Sequence, residues 1–238
     1  MVDRFSKDGT AHIASARGAK VIQRNTGRSI ARNIGLENCS SNGVLFVDSD
    51  MGMSSRVLED CIAGLEQHEA IVIPEVSGGQ GFWAACKALE RKINQGDSVI
   101  EAPRCFRRSA LLSLGGYNPN LEAGEDWDLS IRAKKVNLSV GRIESTIIHD
   151  SGDNFLVTTL QKKYNYGKSM QRYFKSHARA TIIQLNPVRR MILPGLKGAR
   201  SDPVHGLGLI FLKTAEFAAA GAGSLTVVFK RVHPSPPK

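Results

Sequence analysis

The stretch Val44-Leu45-Phe46-Val47-Asp48-Ser49-Asp50 shows most directly how this chain folds. Four consecutive apolar residues predict a strand that is buried on both faces, as in α/β sheets covered by helices. The strand runs directly into two carboxylates. Because open α/β sheets bind their ligands at the carboxyl ends of strands, Asp48 and Asp50 are candidate site residues.

Strands and helices alternate on both sides of this stretch. Helical spacing of apolar residues predicts helices over residues 28–39, 57–67, 82–94, 109–114 and 125–135. Short apolar or β-branched runs predict strands over residues 19–22, 44–47, 70–73, 105–107 and 140–149. This order predicts an α/β fold with a mostly parallel sheet flanked by helices.

The composition is that of a protein with a sizeable core. The chain has 238 residues, of which 42% are hydrophobic and 23% charged, and these values exclude global disorder. Its four cysteines form no CxxC pair, which argues against a zinc knuckle or a disulfide scaffold. We therefore expect free thiols in a reducing compartment, and the first residues contain no apolar run typical of a secretory signal.

Positive charge is concentrated at the C-terminal end. Residues 1–150 contain 18 Lys or Arg and 19 Asp or Glu, whereas residues 151–238 contain 14 and 3. Such a basic end favours an anionic partner, which is a membrane surface, a phosphate compound or a nucleic acid. A nucleic acid is the weakest of these alternatives, because the sequence contains no zinc-finger, helix-turn-helix or RNP pattern.

The C-terminal part is predicted to be a basic helix over residues 156–177, an irregular segment over 187–203 and an apolar helix over 206–229. Residues 233–238 are rich in proline and predicted to be disordered. We therefore divide the chain into an α/β domain, residues 1–155, and a basic helical extension, residues 156–238.

Only Lys213 and Glu216 interrupt the apolar segment 206–229, and they lie one helical turn apart, where they can form an ion pair. A helix of this length could lie in a membrane interface, span a bilayer of about 30 Å or pack in the protein core. The sequence leaves these three alternatives open.

Several side chains have residue types and positions that suit chemistry. Asp48 and Asp50 offer the oxygen ligands that suit Mg²⁺ or Mn²⁺ with a bound diphosphate, although such a pair can equally open a solvated loop. The segment Glu122–Asp128 contains four acids before a helix, which indicates either a capped helix or a carboxylate general base at a cleft. His149 ends a strand and is either a metal ligand or an ordinary histidine. Arg28 and Arg32 share a helix face, which faces either a diphosphate or solvent.

Taken in order, four motifs resemble family 2 glycosyltransferases with the GT-A fold over roughly residues 1–180. They are Arg28-Ser29-Ile30-Ala31-Arg32-Asn33-Ile34-Gly35, Val44–Asp50, Gly115-Gly116-Tyr117 and Gly124-Glu125-Asp126-Trp127-Asp128-Leu129. Asp3-Arg4-Phe5-Ser6-Lys7-Asp8-Gly9-Thr10 also resembles a family segment that follows the second strand. We therefore expect that the strand and helix that precede this segment in the family are missing here and that the fold is N-terminally incomplete.

The resemblance implies an inverting glycosyltransferase that uses a nucleotide-diphospho sugar and Mg²⁺ or Mn²⁺. Asp48 and Asp50 match the residues that hold the metal and the donor diphosphate, and His149 matches a late metal-contacting histidine. Asp126, with Glu125 beside it in the catalytic motif, matches the base that deprotonates the acceptor hydroxyl. Asp3 matches a contact to the nucleotide base, and Arg28 is placed to face the diphosphate. The QxxRW motif of processive relatives is absent.

These expectations lead to one leading function. The chain is predicted to transfer a sugar to a hydroxyl of a glycan or lipid-linked acceptor at the cytoplasmic face of a membrane. It would be peripheral there, or held by one C-terminal apolar helix, and would bind no nucleic acid. The alternative is an inactive, truncated and membrane-associated remnant of such an enzyme.

Overall fold

The structure, a computed structural model, describes residues 1–149 and 155–232. Within them, short strands alternate with helices up to His149, and helices follow from Phe155 onward. The strands are β1 (Val2–Asp3), β2 (Ile22–Gln23), β3 (Gly43–Leu45), β4 (Met51–Met53), β5 (Ala70–Val72), β6 (Glu75–Ser77), β7 (Cys105–Arg107), β8 (Val140–Arg142) and β9 (Ile147–His149).

The helices cover the sheets and make up most of the C-terminal part. They are α1 (Thr10–Ala16), α2 (Arg28–Glu37), α3 (Val57–Gln67), α4 (Phe82–Asn94), α5 (Arg108–Ser113), α6 (Glu125–Lys135), α7 (Phe155–Ser176), α8 (Ala178–Gln184), α9 (Leu193–Ser201) and α10 (Pro203–Val232). A short π-helical segment, Val188–Ile192, precedes α9.

The strands of the described residues form three sheets, and the two larger ones mix parallel and antiparallel pairs. The largest has the order β3-β7-β5-β8, a second has the order β4-β9-β6, and β1 pairs with β2. The predicted α/β architecture is confirmed, but the prediction of a mostly parallel sheet needs a correction. Strand β7 runs antiparallel to both β3 and β5, and β4 runs antiparallel to β9. The periodicity of an apolar strand reports its burial and not the direction of its neighbours, so the sequence pattern could not show this.

Alternation along the strands places two hydrophobic cores on opposite faces of the largest sheet. Ala70 and Phe106 belong to the core that also contains Leu36, Tyr117 and Leu129. Their neighbours Ile71 and Cys105 belong to the core beneath α3, together with residues such as Val57. Successive side chains of a strand point to opposite faces, so each of these strands contributes to both cores.

Three element predictions differ from the structure. The strand predicted over residues 19–22 is found at Ile22–Gln23. Residues 140–149 form two strands, because β8 pairs with β5 whereas β9 joins the sheet of β4 and β6. Residues 187–203 are helical and not irregular. Pro194 lies in the first turn of α9, where proline is tolerated, and Gly206 of α10 approaches the backbone of Ala199 closely. The predicted disorder of residues 233–238 lies outside the described residues.

Helix α10 packs against α4, α7 and α9, and its buried face includes Leu209 and Leu212. This face of the helix packs in the protein core, as one of the three alternatives predicted. Leu207, Phe211 and Leu225, on other faces, are exposed. The predicted Lys213–Glu216 ion pair forms, with 2.5 Å between Nζ and Oε2. Of the helices described here, none combines the length and the apolar character needed to cross a membrane.

Candidate functional site

Arg32 occupies the centre of a group of carboxylates that come from three separate motifs. It lies on the inner face of α2, with only 7% of its side chain exposed. One guanidinium nitrogen, Nη1, is 2.7 Å from Asp126 Oδ1 and 3.3 Å from Glu125 Oε1, and Nη2 is 3.0 Å from Asp48 Oδ1. Burial lowers the pKa of Arg32, but the carboxylates, led by Asp126, outweigh this effect and raise it.

Asp48 is held between two arginines at the carboxyl end of β3. Besides Arg32, Arg104 Nη1 lies 3.4 Å from Asp48 Oδ2, and the same guanidinium contacts Glu75. Burial raises the pKa of Asp48, but Arg32 and Arg104 reverse this effect, so the pKa lies below its usual range. Asp48 is therefore an anion whose charge is largely neutralised by its neighbours.

Glu125 and Asp126 begin α6 and differ in exposure. The preceding Gly124 has a φ of 77°, and a Cβ there would lie 2.8 Å from the Tyr173 ring. Glu125 is 3% exposed, and burial together with the adjacent Asp126 raises its pKa. Asp126 is 29% exposed and lines the cavities described below. Both predicted catalytic carboxylates line the larger cavity, but Asp126 is the more exposed of the two and also lines the smaller cavity.

Asp50 and His149 meet next to this group, because β4 and β9 pair with Met51 opposite His149. His149 Nε2 is 3.6 Å from Asp50 Oδ2, which also lies 3.5 Å from Lys162 Nζ. The Nδ1 atom of His149 is buried and has no hydrogen-bond partner among the described residues. Burial, with help from Arg91, lowers the pKa of His149, and this favours the neutral ring that a metal ligand needs.

The donor chemistry of Asp50 and His149 fits a divalent cation that completes its shell with water and phosphate oxygens. Within the part of the chain that the structure describes, no three His, Cys, Asp or Glu side chains form a metal-binding group. Asp48 contacts arginines instead. The three predicted ligands are thus neighbours, and two of them are paired directly.

Two adjoining cavities open onto these residues. The smaller, of about 370 Å³, is lined by Asp48, Asp50 and His149 among others. The larger, of about 500 Å³, extends between α4, α6, α7 and α10. The residues that line both are Arg28, Glu75, Lys87, Arg91, Arg104, Asp126, His149, Lys163, Tyr166 and Glu216.

The remaining predicted residues lie in different surroundings. Arg28 lines both cavities, and it contacts Glu125 at 3.2 Å and the Tyr166 hydroxyl at 3.2 Å. Asp3 is buried and accepts hydrogen bonds from Ser6 and from Gln23, and these contacts lower its pKa. No described contact joins Asp3 to the Arg32 group, and its predicted role toward a nucleotide base stays a prediction.

Sequence reasoning missed Arg104, Glu75 and the α7 residues Lys162 and Tyr166. Arg104 precedes β7, and the antiparallel pairing of β7 with β3 places the start of β7 beside the end of β3 that carries Asp48. Predicting that β3 and β7 are antiparallel would have placed Arg104 beside Asp48. The positions of Lys162 and Tyr166 at the site depend on how α7 packs against the α/β part, and no local sequence pattern indicates that packing.

The family model described as Glycosyl transferase family 2 matches residues 1–114. This match confirms the resemblance over residues 1–114, and the motifs at Gly115–Tyr117 and Gly124–Leu129 lie beyond the matched segment. The matched segment includes Arg28, Arg32, Asp48, Asp50 and Arg104, so a large part of the site lies within the glycosyltransferase match. A search of curated proteins gave no match to the chain.

Solved glycosyltransferase structures share the fold. The crystal structure of S. aureus TarS 1–349 in complex with UDP-GlcNAc is 18% identical, with a TM-score of 0.51, and the match covers 100% of this chain and 83% of TarS. The mannosyltransferase PcManGT from Pyrobaculum calidifontis, in complex with GDP-Man and Mn²⁺, is 16% identical, with a TM-score of 0.59 and coverages of 97% and 77%. At these identities the likeness establishes the GT-A-like α/β fold.

Proposed function

We propose that this protein is an inverting glycosyltransferase that takes its sugar from a nucleotide-diphospho sugar. The observation that carries the proposal is the convergence of Asp48, Glu125 and Asp126 on Arg32, from motifs far apart in the chain, beside two adjoining cavities. TarS and PcManGT, which share the fold, are described with UDP-GlcNAc and with GDP-Man and Mn²⁺.

Asp126 is proposed as the general base. An inverting transfer needs one group that takes the proton of the acceptor hydroxyl while the sugar–phosphate bond breaks. The Asp126 carboxylate reaches the cavity that both α6 and α7 line, and its contact with Arg32 holds one oxygen in place. Glu125, which is buried behind Arg28 and Arg32, is proposed as a positioning residue.

Asp50 and His149 are proposed to hold Mg²⁺ or Mn²⁺, with Asp48 close by. The cation would stabilise the negative charge of the leaving diphosphate. The basic residues Arg28 and Lys162 line the same smaller cavity and supply further positive charge there. Oxygen ligands from one or two carboxylates and from the substrate phosphates are the usual set for such a cation.

We also propose that the enzyme acts on a glycan or lipid-linked hydroxyl at the cytoplasmic face of a membrane. Leu193, Leu196 and Leu207 are exposed on α9 and α10, and the neighbouring Lys197 and Arg200 are exposed cations. Exposed leucines beside cations fit an anionic lipid surface. The four cysteines are unpaired, which suits a reducing compartment.

The experiment that tests the proposed activity is a screen of UDP- and GDP-sugars with Mn²⁺. We expect one nucleotide-sugar to raise the melting temperature and to be hydrolysed slowly without acceptor. The alternative, an inactive membrane-associated relative, predicts vesicle binding without any such turnover. The proposal would be rejected if no nucleotide-sugar stabilised the protein and none was turned over.

A further inference from the structure

Six charged side chains lie together in the wall of the larger cavity, which neither Asp48 nor Asp50 lines. This inner cluster consists of Lys87, Glu90, Lys163, Arg190, Lys213 and Glu216, from α4, α7, the π-helical segment and α10. Glu90, Arg190 and Lys213 line only the larger cavity. Lys87, Lys163 and Glu216 line both cavities, so the cluster extends from the wall that the two cavities share into the larger cavity.

Two lysines and two glutamates of the inner cluster neutralise each other. Lys213 Nζ is 3.0 Å from Glu90 Oε1 and 2.5 Å from Glu216 Oε2. Lys87 Nζ is 2.5 Å from Glu90 Oε2 and 3.4 Å from Glu216 Oε1. All four carboxylate oxygens thus have a lysine partner, in a closed ring of ion pairs.

Two cations remain beyond this ring. Lys163 Nζ is 3.8 Å from Glu216, and Arg190 Nη2 is 3.9 Å from Glu90, which are long distances to oxygens already in use. The Nη1 atom of Arg190 is buried without a hydrogen-bond partner among the described residues. Burial and the nearby Lys87 and Lys213 lower the pKa of Lys163 to about 8, although Glu216 opposes them.

An excess of two partly buried positive charges is a poor way to hold helices together. Buried ions are costly unless an opposite charge and hydrogen bonds compensate them. A guanidinium nitrogen without a partner adds the cost of an unmade hydrogen bond. Both costs fall when an anion enters the cavity, and a guanidinium suits phosphoryl oxygens because it can donate two parallel hydrogen bonds.

We propose that the inner cluster is an anion subsite that takes a phosphoryl group of the acceptor, with Lys163 and Arg190 as its main contacts. The proposal rests on the proposed function, because it assigns this end of the cavity to the acceptor. An acceptor held there would extend toward Asp126, which lines the same cavity. The dianionic charge of a phosphoryl group matches the two surplus cations.

The test is the melting temperature of the full chain in a titration with inorganic phosphate at constant ionic strength. We expect a saturable rise for the wild type, since a ligand that binds the folded state stabilises it. Arg190→Gln and Lys163→Gln should each weaken the apparent affinity by about tenfold or more. The controls Arg179→Gln and Lys175→Gln change exposed cations of α8 and α7 and should respond as the wild type does.

The same variants separate an anion subsite from a purely structural cluster. Without phosphate, Arg190→Gln and Lys163→Gln should melt at or above the wild-type temperature, because each removes a surplus positive charge from a partly buried cluster. Melting well below the wild type without phosphate would indicate a structural role and overturn the proposal. The proposal would also be overturned if phosphate gave the wild type no saturable rise in melting temperature, or if both variants showed the same rise as the wild type.

A second titration with saturating UDP or GDP and Mn²⁺ identifies the source of the phosphoryl group. A phosphate effect that persists supports an acceptor subsite separate from the donor. An effect abolished by the nucleotide means that the cluster holds the donor diphosphate, and the acceptor assignment is then wrong. Stabilisation by the nucleotide-sugar itself tests the proposed function independently. A failure of the proposed function can therefore be told apart from a failure of the anion subsite.

Discussion

Arg32 gives the site its shape, because one buried guanidinium contacts Asp48, Glu125 and Asp126. The motifs of the sequence identified the three carboxylates and the two arginines of α2. They predicted a different partner for Arg32, however, since a helix-face arginine near an acidic pair was expected to face a diphosphate or solvent. Which side of α2 is buried depends on its packing, and that information is tertiary.

Replacing Asp126 by Asn should reduce glycosyl transfer by about 10²–10⁴-fold and leave donor affinity nearly unchanged, because the amide cannot accept the acceptor proton. Steady-state turnover and calorimetric donor binding measure the two effects. The control is Asp60→Asn on α3, which removes an exposed i,i+4 ion pair with Arg56. Turnover that persists while donor affinity collapses would make Asp126 a binding residue.

Replacing Arg32 by Met should lower the free energy of unfolding by about 3–5 kcal/mol, since it leaves three neighbouring carboxylates without their shared cation. Urea unfolding at neutral pH gives this quantity. The matched control is Arg24→Met, which changes an exposed arginine outside the site. A loss equal to that of the control would show that Arg32 does not hold the carboxylates together.

At the scale of elements, apolar runs and helical spacing located most helices and central strands, including β3, β5, β7, α2, α3 and α4. They failed where a neighbour decides the outcome. The run 140–149 divides because its two halves pair in different sheets. Helix α9 packs closely against α10, where Gly206 leaves room for the backbone of Ala199. Arg104 was missed for the same reason, since its place beside Asp48 follows from an antiparallel pairing.

The exposed leucines of α9 and α10 carry a prediction about membrane binding. In a co-sedimentation assay, the double variant Leu196→Gln, Leu207→Gln should bind anionic vesicles at least about tenfold more weakly than the wild type. Each leucine that the lipid buries contributes about 1.5–3 kcal/mol. The control is Leu58→Gln, Ile62→Gln on α3, where both residues are similarly exposed. Equal vesicle binding by both double variants and the wild type would argue against a lipid-facing surface on α9 and α10.

At the scale of the whole molecule, the site lies between the α/β part and the helices that follow it. The smaller cavity needs Asp48 and Asp50 from the first part and Lys162 and Lys163 from α7. The sequence predicted a basic helical extension but could not place it. Charge composition reports how many cations a segment carries and not which of them turn inward.

Ionised Glu216 holds α10 against α4 and α7, and this contribution should depend on pH. Burial raises the pKa of Glu216, but Lys87, Lys163 and Lys213 outweigh it and lower the pKa to about 2, from an ordinary value of 4.5. The stabilisation is therefore complete above pH 4.5 and is lost as the pH falls toward 2. The sequence predicted the Lys213 contact alone, because the other partners come from distant helices.

Replacing Glu216 by Gln should lower the free energy of unfolding by about 3 kcal/mol at pH 7, and the difference from wild type should vanish near pH 2. Urea unfolding at several pH values measures it. The control Glu66→Gln changes an exposed carboxylate on α3 and should show no such pH-dependent difference. A difference that stays constant from pH 7 to pH 2 would mean that ionisation of Glu216 contributes nothing.

The central claim is that the cavity beside Asp48 and Asp50 binds a nucleotide-diphospho sugar with a divalent cation. Calorimetric titration of UDP- and GDP-sugars, with and without Mn²⁺, into the wild type and Asp50→Ala tests it most directly. We predict Mn²⁺-dependent binding of one nucleotide-sugar to the wild type and its loss in Asp50→Ala, with the melting temperature maintained. Binding that is unchanged in Asp50→Ala, or no binding to the wild type, would contradict the claim.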